Sequence, residues 1–185
     1  EGLRRLEYRG YDSSGVAIIS ENKLLRRRKA GKLVNLEADL KESPVSGNTG
    51  IAHTRWATHG IPNDQNAHPH MTDQVAIVHN GIIENYHLLK DQLLEKGVQF
   101  TSETDTEVVL HLVNQHLEQG LSPFESVKKT LSVVRGAFAI AMLFRDYPNL
   151  LIAARSGPPL AIGYGKEEMY IGSDAVALSH LTQQV

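Results

Sequence analysis

The chain has 185 residues, 41% hydrophobic and 22% charged, with a formal net charge of -2 at pH 7 and a pI near 6.5. That is enough chain to bury a core in one domain, and the near-neutral balance gives no electrostatic footing for nucleic acid or an anionic membrane surface. It has no cysteine, which excludes disulfides and thiolate metal sites. No apolar run approaches the roughly 18 residues of a spanning helix, and Glu1-Gly2-Leu3-Arg4-Arg5 opens on charge rather than as a signal peptide. A soluble, cytoplasmic protein is predicted.

In chain order, Glu1 to Glu7 reads as the last turns of an amphipathic helix, with Leu3 and Leu6 on one face and no cap in front, so the native chain is expected to start earlier. Gly15 to Ser20 reads as a buried strand, and Lys23 to Lys29 as its hairpin partner across Glu21-Asn22. The basic run Arg26-Arg27-Arg28-Lys29 is read as solvated surface. Lys32 to Glu42 carries Leu33, Leu36 and Leu40 at helical spacing, and Ser43 to Asn48 is a loop. Strand Gly50 to Thr54 then leads into an irregular stretch, Arg55 to His70, of a length that usually signals function. Gln74 to His79 is a strand covered on both faces. Helices follow at Glu84 to Lys96, Asp105 to Gln119 (opened by Thr104 or Asp105) and Pro123 to Val133, the last behind the capping box Ser122-Pro123-Phe124-Glu125. A short extended piece, Val98 to Thr101, separates the first two. Strands Ala137 to Phe144, Leu150 to Arg155, Leu160 to Gly163 and Met169 to Ser173 follow, with a last helix from Asp174. The order predicts one α+β domain over residues 1–185, layered sheets flanked by helices.

Chemistry concentrates at the end of the third strand. Arg55 beside Trp56 offers a planar fork for a carboxylate against a flat apolar wall, or else a structural ion pair beside a core aromatic. Asn80-Gly81 is a common tight-turn dipeptide. It is equally a side-chain amide and a backbone N–H able to serve a developing oxyanion, each worth about 3 kcal/mol. Asp105 is a helix cap or a fixed anion for a substrate ammonium. Taken together as site residues, these groups describe an amino acid whose side-chain carbonyl is attacked. His53, His59, His68 and His70 raise the question of metal. No carboxylate or cysteine recurs at ligand spacing, however, and Pro69 forces extended backbone, so neither metal nor cofactor is expected. No glycine-rich phosphate loop is present.

Seven segments occur in order: EYRGYDS (Glu7 to Ser13), HTRWATHG (His53 to Gly60), NAHPH (Asn66 to His70), VHNGIIEN (Val78 to Asn85), SETDTE (Ser102 to Glu107), RGAF (Arg135 to Phe138) and AARSGPPL (Ala153 to Leu160). With them the chain closely resembles, over essentially its whole length, the glutaminase domains of the glutamine-fructose-6-phosphate aminotransferases, class II glutamine amidotransferases. The resemblance implies an N-terminal-nucleophile hydrolase fold, an α/β/β/α sandwich of two stacked antiparallel sheets. It implies hydrolysis of L-glutamine to glutamate and ammonia, and transfer of the ammonia to fructose 6-phosphate by a sugar isomerase domain within a homo-oligomeric parent. By the matching motifs Arg55 would hold the substrate carboxylate and Asp105 its amino group, with Asn80 and Gly81 as the oxyanion hole. Trp56, Thr58 and His59 would line the pocket, with Arg9 and Gly10 near the nucleophile. That nucleophile, in the family, is a cysteine at the mature N-terminus whose α-amino group is the base. The chain departs from the family here, since it has no cysteine and starts at Glu1. A preceding segment with the nucleophile and a core strand, and a continuation past Val185, are therefore expected. A glutamine-binding module without catalysis, the glutaminase domain of another amidotransferase and a histidine metalloprotein are the rival readings.

Overall fold

The computed structural model describes residues 1–185. A short helix α1 (Gly2–Arg5) and a 3-10 turn (Glu7–Arg9) lead into strand β1 (Ser13–Ser20). The turn to β2 (Lys23–Ala30) puts Glu21 and Asn22 at φ 49° and 60°, the left-handed pair that a two-residue hairpin requires. Helix α2 (Leu33–Glu42) follows, then β3 (Thr49–Arg55), the two-residue β4 (His70–Met71) and β5 (Val75–Ile83). Helices α3 (Tyr86–Glu95), α4 (Thr106–Glu118) and α5 (Pro123–Leu131) come next. Strands β6 (Gly136–Phe144), β7 (Leu151–Ser156), β8 (Ala161–Tyr164) and β9 (Met169–Gly172) and helix α6 (Ala175–Leu178) complete the chain.

One sheet has the order β2-β1-β3, a second β4-β5-β6-β7, and β8-β9 is a separate hairpin; every pairing is antiparallel. Because side chains alternate along a strand, each sheet has two faces to cover. The inner faces meet through Ala17, Ile19, Leu24 and Ile51 of the first sheet and Ala76, Ala141 and Leu143 of the second. Three of these seven are alanines, all nearly or fully buried. The outer face of the second sheet (Val75, Ile77, Ile140, Met142, Phe144) packs under α3, α4 and α5 through Leu89, Leu93, Val108, Val113 and Val127. Helix α2 covers the first sheet with Leu33 and Leu36. The layering is α/β/β/α, two stacked antiparallel sheets between helices, as the resemblance implies. No helix is long and apolar enough to cross a membrane.

Two expectations need correcting. Asn80-Gly81 is not a turn: β5 runs through it, with Asn80 opposite Ala139 and Gly81 opposite Phe138. The Arg26-Arg28 run is not simply solvated, because Arg28 Nη1 donates to the Ala67 carbonyl (3.0 Å) and Arg26 Nη1 to that of Pro69 (3.3 Å). A short strand, β4, also forms where the sequence has no local signature for one.

Glu107, at the start of α4, organises the loop that precedes it. Its carboxylate accepts from Thr101 N (2.8 Å), Ser102 N (2.7 Å) and Ser102 Oγ (2.6 Å), with His111 Nε2 3.5 Å away. Burial opposes its charge, yet the donors of His111, Ser102 and Thr101 prevail and bring its pKa down to about 2 from 4.5. A carboxylate depressed in the fold contributes its stability in full above the unfolded pKa and loses it as pH falls toward the folded one. Glu107→Gln is therefore expected to destabilise the chain by about 2–3 kcal/mol at neutral pH. In urea titrations at a series of pH values, that deficit should close between pH 4.5 and 2.

Candidate active site

Both sheets deliver their ends to one cavity of about 870 Å³, lined among others by Arg55, Trp56, Thr58, Asn80, Gly81 and Asp105. Arg55 is the last residue of β3 and is 4% exposed. Its Nη2 donates to the His59 carbonyl, while its Nη1 is buried without a partner. Burial lowers the guanidinium pKa, and the charges of Asp12, Asp105 and Glu103 counter that. A buried guanidinium with one free edge has donors to offer an anionic group such as a carboxylate. The backbone around it is bolted to the start of β1: Asp12 N donates to the Arg55 carbonyl (2.8 Å), and Asp12 Oδ2 accepts from Ala57 N (2.5 Å).

Asp105 occupies the N-cap position of α4, but its side chain makes no cap bond. Oδ2 instead accepts from Ile83 N (2.7 Å), fixing the carboxylate to the end of β5, and Oδ1 stands 4.0 Å from both His59 Nδ1 and His79 Nδ1. The residue is 3% exposed, so what remains of its anionic face is directed at the site, not at water. Asn80 reaches the cavity from the inner face of β5, and its Oδ1 lies 2.8 Å from His53 Nε2. Gly81 has φ +119°, and a Cβ there would sit 2.0 Å from the Ala137 carbonyl oxygen, so only glycine fits.

The other expected site residues occupy distinct places. Trp56 is 68% exposed at the rim. Its ring lies so close to Gly10 (φ +75°) that a Cβ there would come within 2.6 Å of Cζ3. Gly10→Ala should displace the indole and cost about 1–3 kcal/mol, because it adds both a clash and a left-handed non-glycine residue. Trp56 is the only tryptophan, so a shift of the fluorescence emission reads the change directly. Thr58 lines the cavity. His59 contributes its carbonyl to Arg55, and its ring packs edge-on against Tyr86 at 4.9 Å, beside Asp105. Arg9 is engaged with Asp174 (2.6 Å) and Ser173 (3.1 Å) on the far rim.

Along the wall of the cavity, with His53, His68 and His79 lining it, lies a set of histidines whose grouping is not apparent in the sequence. Thr106 Oγ1 bridges His68 Nε2 and His79 Nδ1, each at 2.9 Å, and the rings of His53 and His68 lie tilted at 35° to one another with centroids 4.6 Å apart. His70 Nε2 meets Thr104 Oγ1 at 2.9 Å. Burial lowers all four pKa values, to about 4 for His53 and about 3 for His70, so these rings are neutral at pH 7. They spread over hydroxyl and amide partners instead of converging on one point.

A family profile described as "Glutamine amidotransferase domain" matches residues 53–180. The chain belongs to the glutamine amidotransferase domain family. It is 56% identical over 185 residues to the glutamine-fructose-6-phosphate aminotransferase (isomerizing) of Mesorhizobium japonicum. To the enzyme of the same name from Zymomonas mobilis it is 58% identical. In both cases all of this chain aligns, and it spans 30% of the relative's length. Among solved structures, glutamine phosphoribosylpyrophosphate amidotransferase from B. subtilis superposes with TM-score 0.82 at 27% identity, covering 96% of this chain and 39% of that one. A second, described as the allosteric regulatory enzyme of purine biosynthesis, gives 0.84 at 27%, covering 97% and 39%. The amidotransferase fold thus holds Arg55, Asp105, Asn80 and Gly81 around a single cavity.

Proposed function

We propose that this chain is the glutaminase part of a glutamine-fructose-6-phosphate aminotransferase. The observation that carries the reading is the buried Arg55 guanidinium with an unpartnered Nη1, in one cavity with the Asp105 carboxylate and the Asn80 amide. An L-amino acid answers both charges at once: its carboxylate takes the free edge of Arg55 and its ammonium the Asp105 face. Its side chain then points its carbonyl at Asn80 Nδ2 and Gly81 N–H. A thiolate attacks the side-chain amide carbon, and the charge that develops on oxygen is held by those two donors. Collapse expels ammonia once the nitrogen is protonated, leaving a thioester that water hydrolyses to glutamate.

These 185 residues contain no cysteine, and the reading assigns the thiol and its α-amino base to a segment of the parent preceding Glu1. In support, β3 is an edge strand, hydrogen-bonded only to β1, and both Arg55 and Gly50 line the cavity along it. The remaining part of the parent, acting in the cytoplasm, would add the ammonia to fructose 6-phosphate. Intact mass and the N-terminal residue of the full-length enzyme, followed by an assay of glutamate release from L-glutamine, test the proposal. An N-terminal cysteine with glutamate release is the expected result. An enzyme that binds glutamine and never releases glutamate would overturn it.

A further inference from the structure

His53 and Asn80 come from different sheets and meet across the interface. His53 lies on the inner face of β3, two residues before Arg55, and pairs with Gly15 of β1. Asn80 lies on the inner face of β5, two residues after Val78, which packs into the interior between the sheets. Their side chains meet at 2.8 Å between Nε2 and Oδ1. Nothing in the cavity otherwise dictates which end of the Asn80 amide faces the substrate, and the two ends are chemically opposite. An NH2 facing the pocket stabilises an oxyanion; a carbonyl oxygen there repels it.

We propose that His53 is the positioning residue that turns the Asn80 amide group toward the substrate, by donating its Nε2–H to Oδ1 and so leaving Nδ2 to face the cavity. This rests on the reading of the site as a glutaminase. The surroundings of the ring select the tautomer this requires. His53 Nδ1 is buried with no partner, and a bare ring nitrogen there is tolerated better than an orphaned N–H, so the proton belongs on Nε2. The His68 ring, tilted against it at 4.6 Å, closes one side of the imidazole, and burial keeps it uncharged, so the donor persists at neutral pH. His68 is in turn held by Thr106, the residue after Asp105. The orientation of the oxyanion donor is thereby tied to the helix start that carries the ammonium-binding carboxylate.

The test uses the full-length enzyme and three variants: His53→Phe, which keeps an aromatic ring and loses the donor; His53→Gln, which restores an N–H; and the double variant His53→Phe with Asn80→Ala. His53→Phe is expected to lower kcat for glutamate release by about ten- to a hundredfold with KM for glutamine little changed, approaching the loss of the oxyanion donor itself. His53→Gln should recover a good part of that loss. In the Asn80→Ala background, His53→Phe should cost little further, because the group it positions is gone. The glutamine aldehyde, whose thiohemiacetal oxygen occupies the oxyanion position, should lose affinity in His53→Phe, while product glutamate does not. A kcat within about twofold of wild type, or an equal loss with and without Asn80, would overturn the proposal. Should the phenylalanine variant not fold, 15N-histidine spectra of the wild-type enzyme decide. An Nε2-protonated His53 supports the assignment, and an Nδ1-protonated one removes it. A wild-type enzyme that releases no glutamate would instead defeat the glutaminase reading.

Discussion

Replacing Arg55 by alanine in the full-length enzyme is expected to raise KM for glutamine by about a hundred- to a thousandfold, with a much smaller change in kcat. On the proposed reading the fork would donate two charge-assisted bonds to the substrate carboxylate, each worth about 1.5–3 kcal/mol, and every 1.4 kcal/mol is tenfold in affinity. The carboxylate is remote from the bond that breaks, so the contact serves ground and transition states alike and belongs in KM. Arg55→Lys should recover only part of the affinity, since an ammonium keeps the charge but not the two parallel donors. Because Nη2 also holds the His59 carbonyl, Arg55→Ala should loosen the 55–59 segment; circular dichroism and a thermal melt of the variant separate that from lost binding. An unchanged KM in a well-folded Arg55→Ala enzyme would remove the carboxylate assignment.

Asn80→Ala should show the opposite split: kcat lower by about a hundredfold or more and KM nearly unaltered, as for loss of a donor that acts mainly in the transition state. Asn80→Asp is a sharper version, because it keeps the shape and puts an acceptor where a donor is needed. Its turnover should be no better than that of alanine. Stopped assays of glutamate and ammonia, run together, would show both products falling in step. Turnover unchanged by Asn80→Ala would take Asn80 out of the oxyanion hole.

Most of the secondary structure was legible because its causes are local. Apolar runs of strand length, the 3.6-residue spacing of Leu33, Leu36 and Leu40, and the Ser122 cap, whose Oγ accepts from Glu125 N at 3.3 Å, act within a few residues. The misreadings share the opposite property. Asn-Gly is a turn dipeptide by local preference, but at Asn80-Gly81 the ladder to β6 dictates the conformation, and the Ala137 carbonyl leaves room for glycine alone. Arg26 and Arg28 looked solvated because their acceptors, the carbonyls of Pro69 and Ala67, lie 43 and 39 residues away. His53 could be weighed as a metal ligand and not as the partner of Asn80, since the two stand 27 residues apart on different sheets. Among the site residues, Arg55 and Asp105 were visible as chemistry, yet their burial, and the unpartnered Nη1 of Arg55, are supplied only by the packed fold.

On the proposed reading, the alanines in the seam between the sheets bear on the chemistry of the site. Arg55 rides on one sheet, while Asn80 and the anchor of Asp105 ride on the other. The span between the group proposed to grip the amino acid and the group proposed to meet its carbonyl is therefore set by how closely the two layers approach. Ala17, Ala76 and Ala141 act as a spacer of fixed thickness. On the proposed reading, bulk added to that seam would stretch the span and favour a longer substrate, so Ala17 and Ala76, in the core between the sheets, would gauge the length of the ligand.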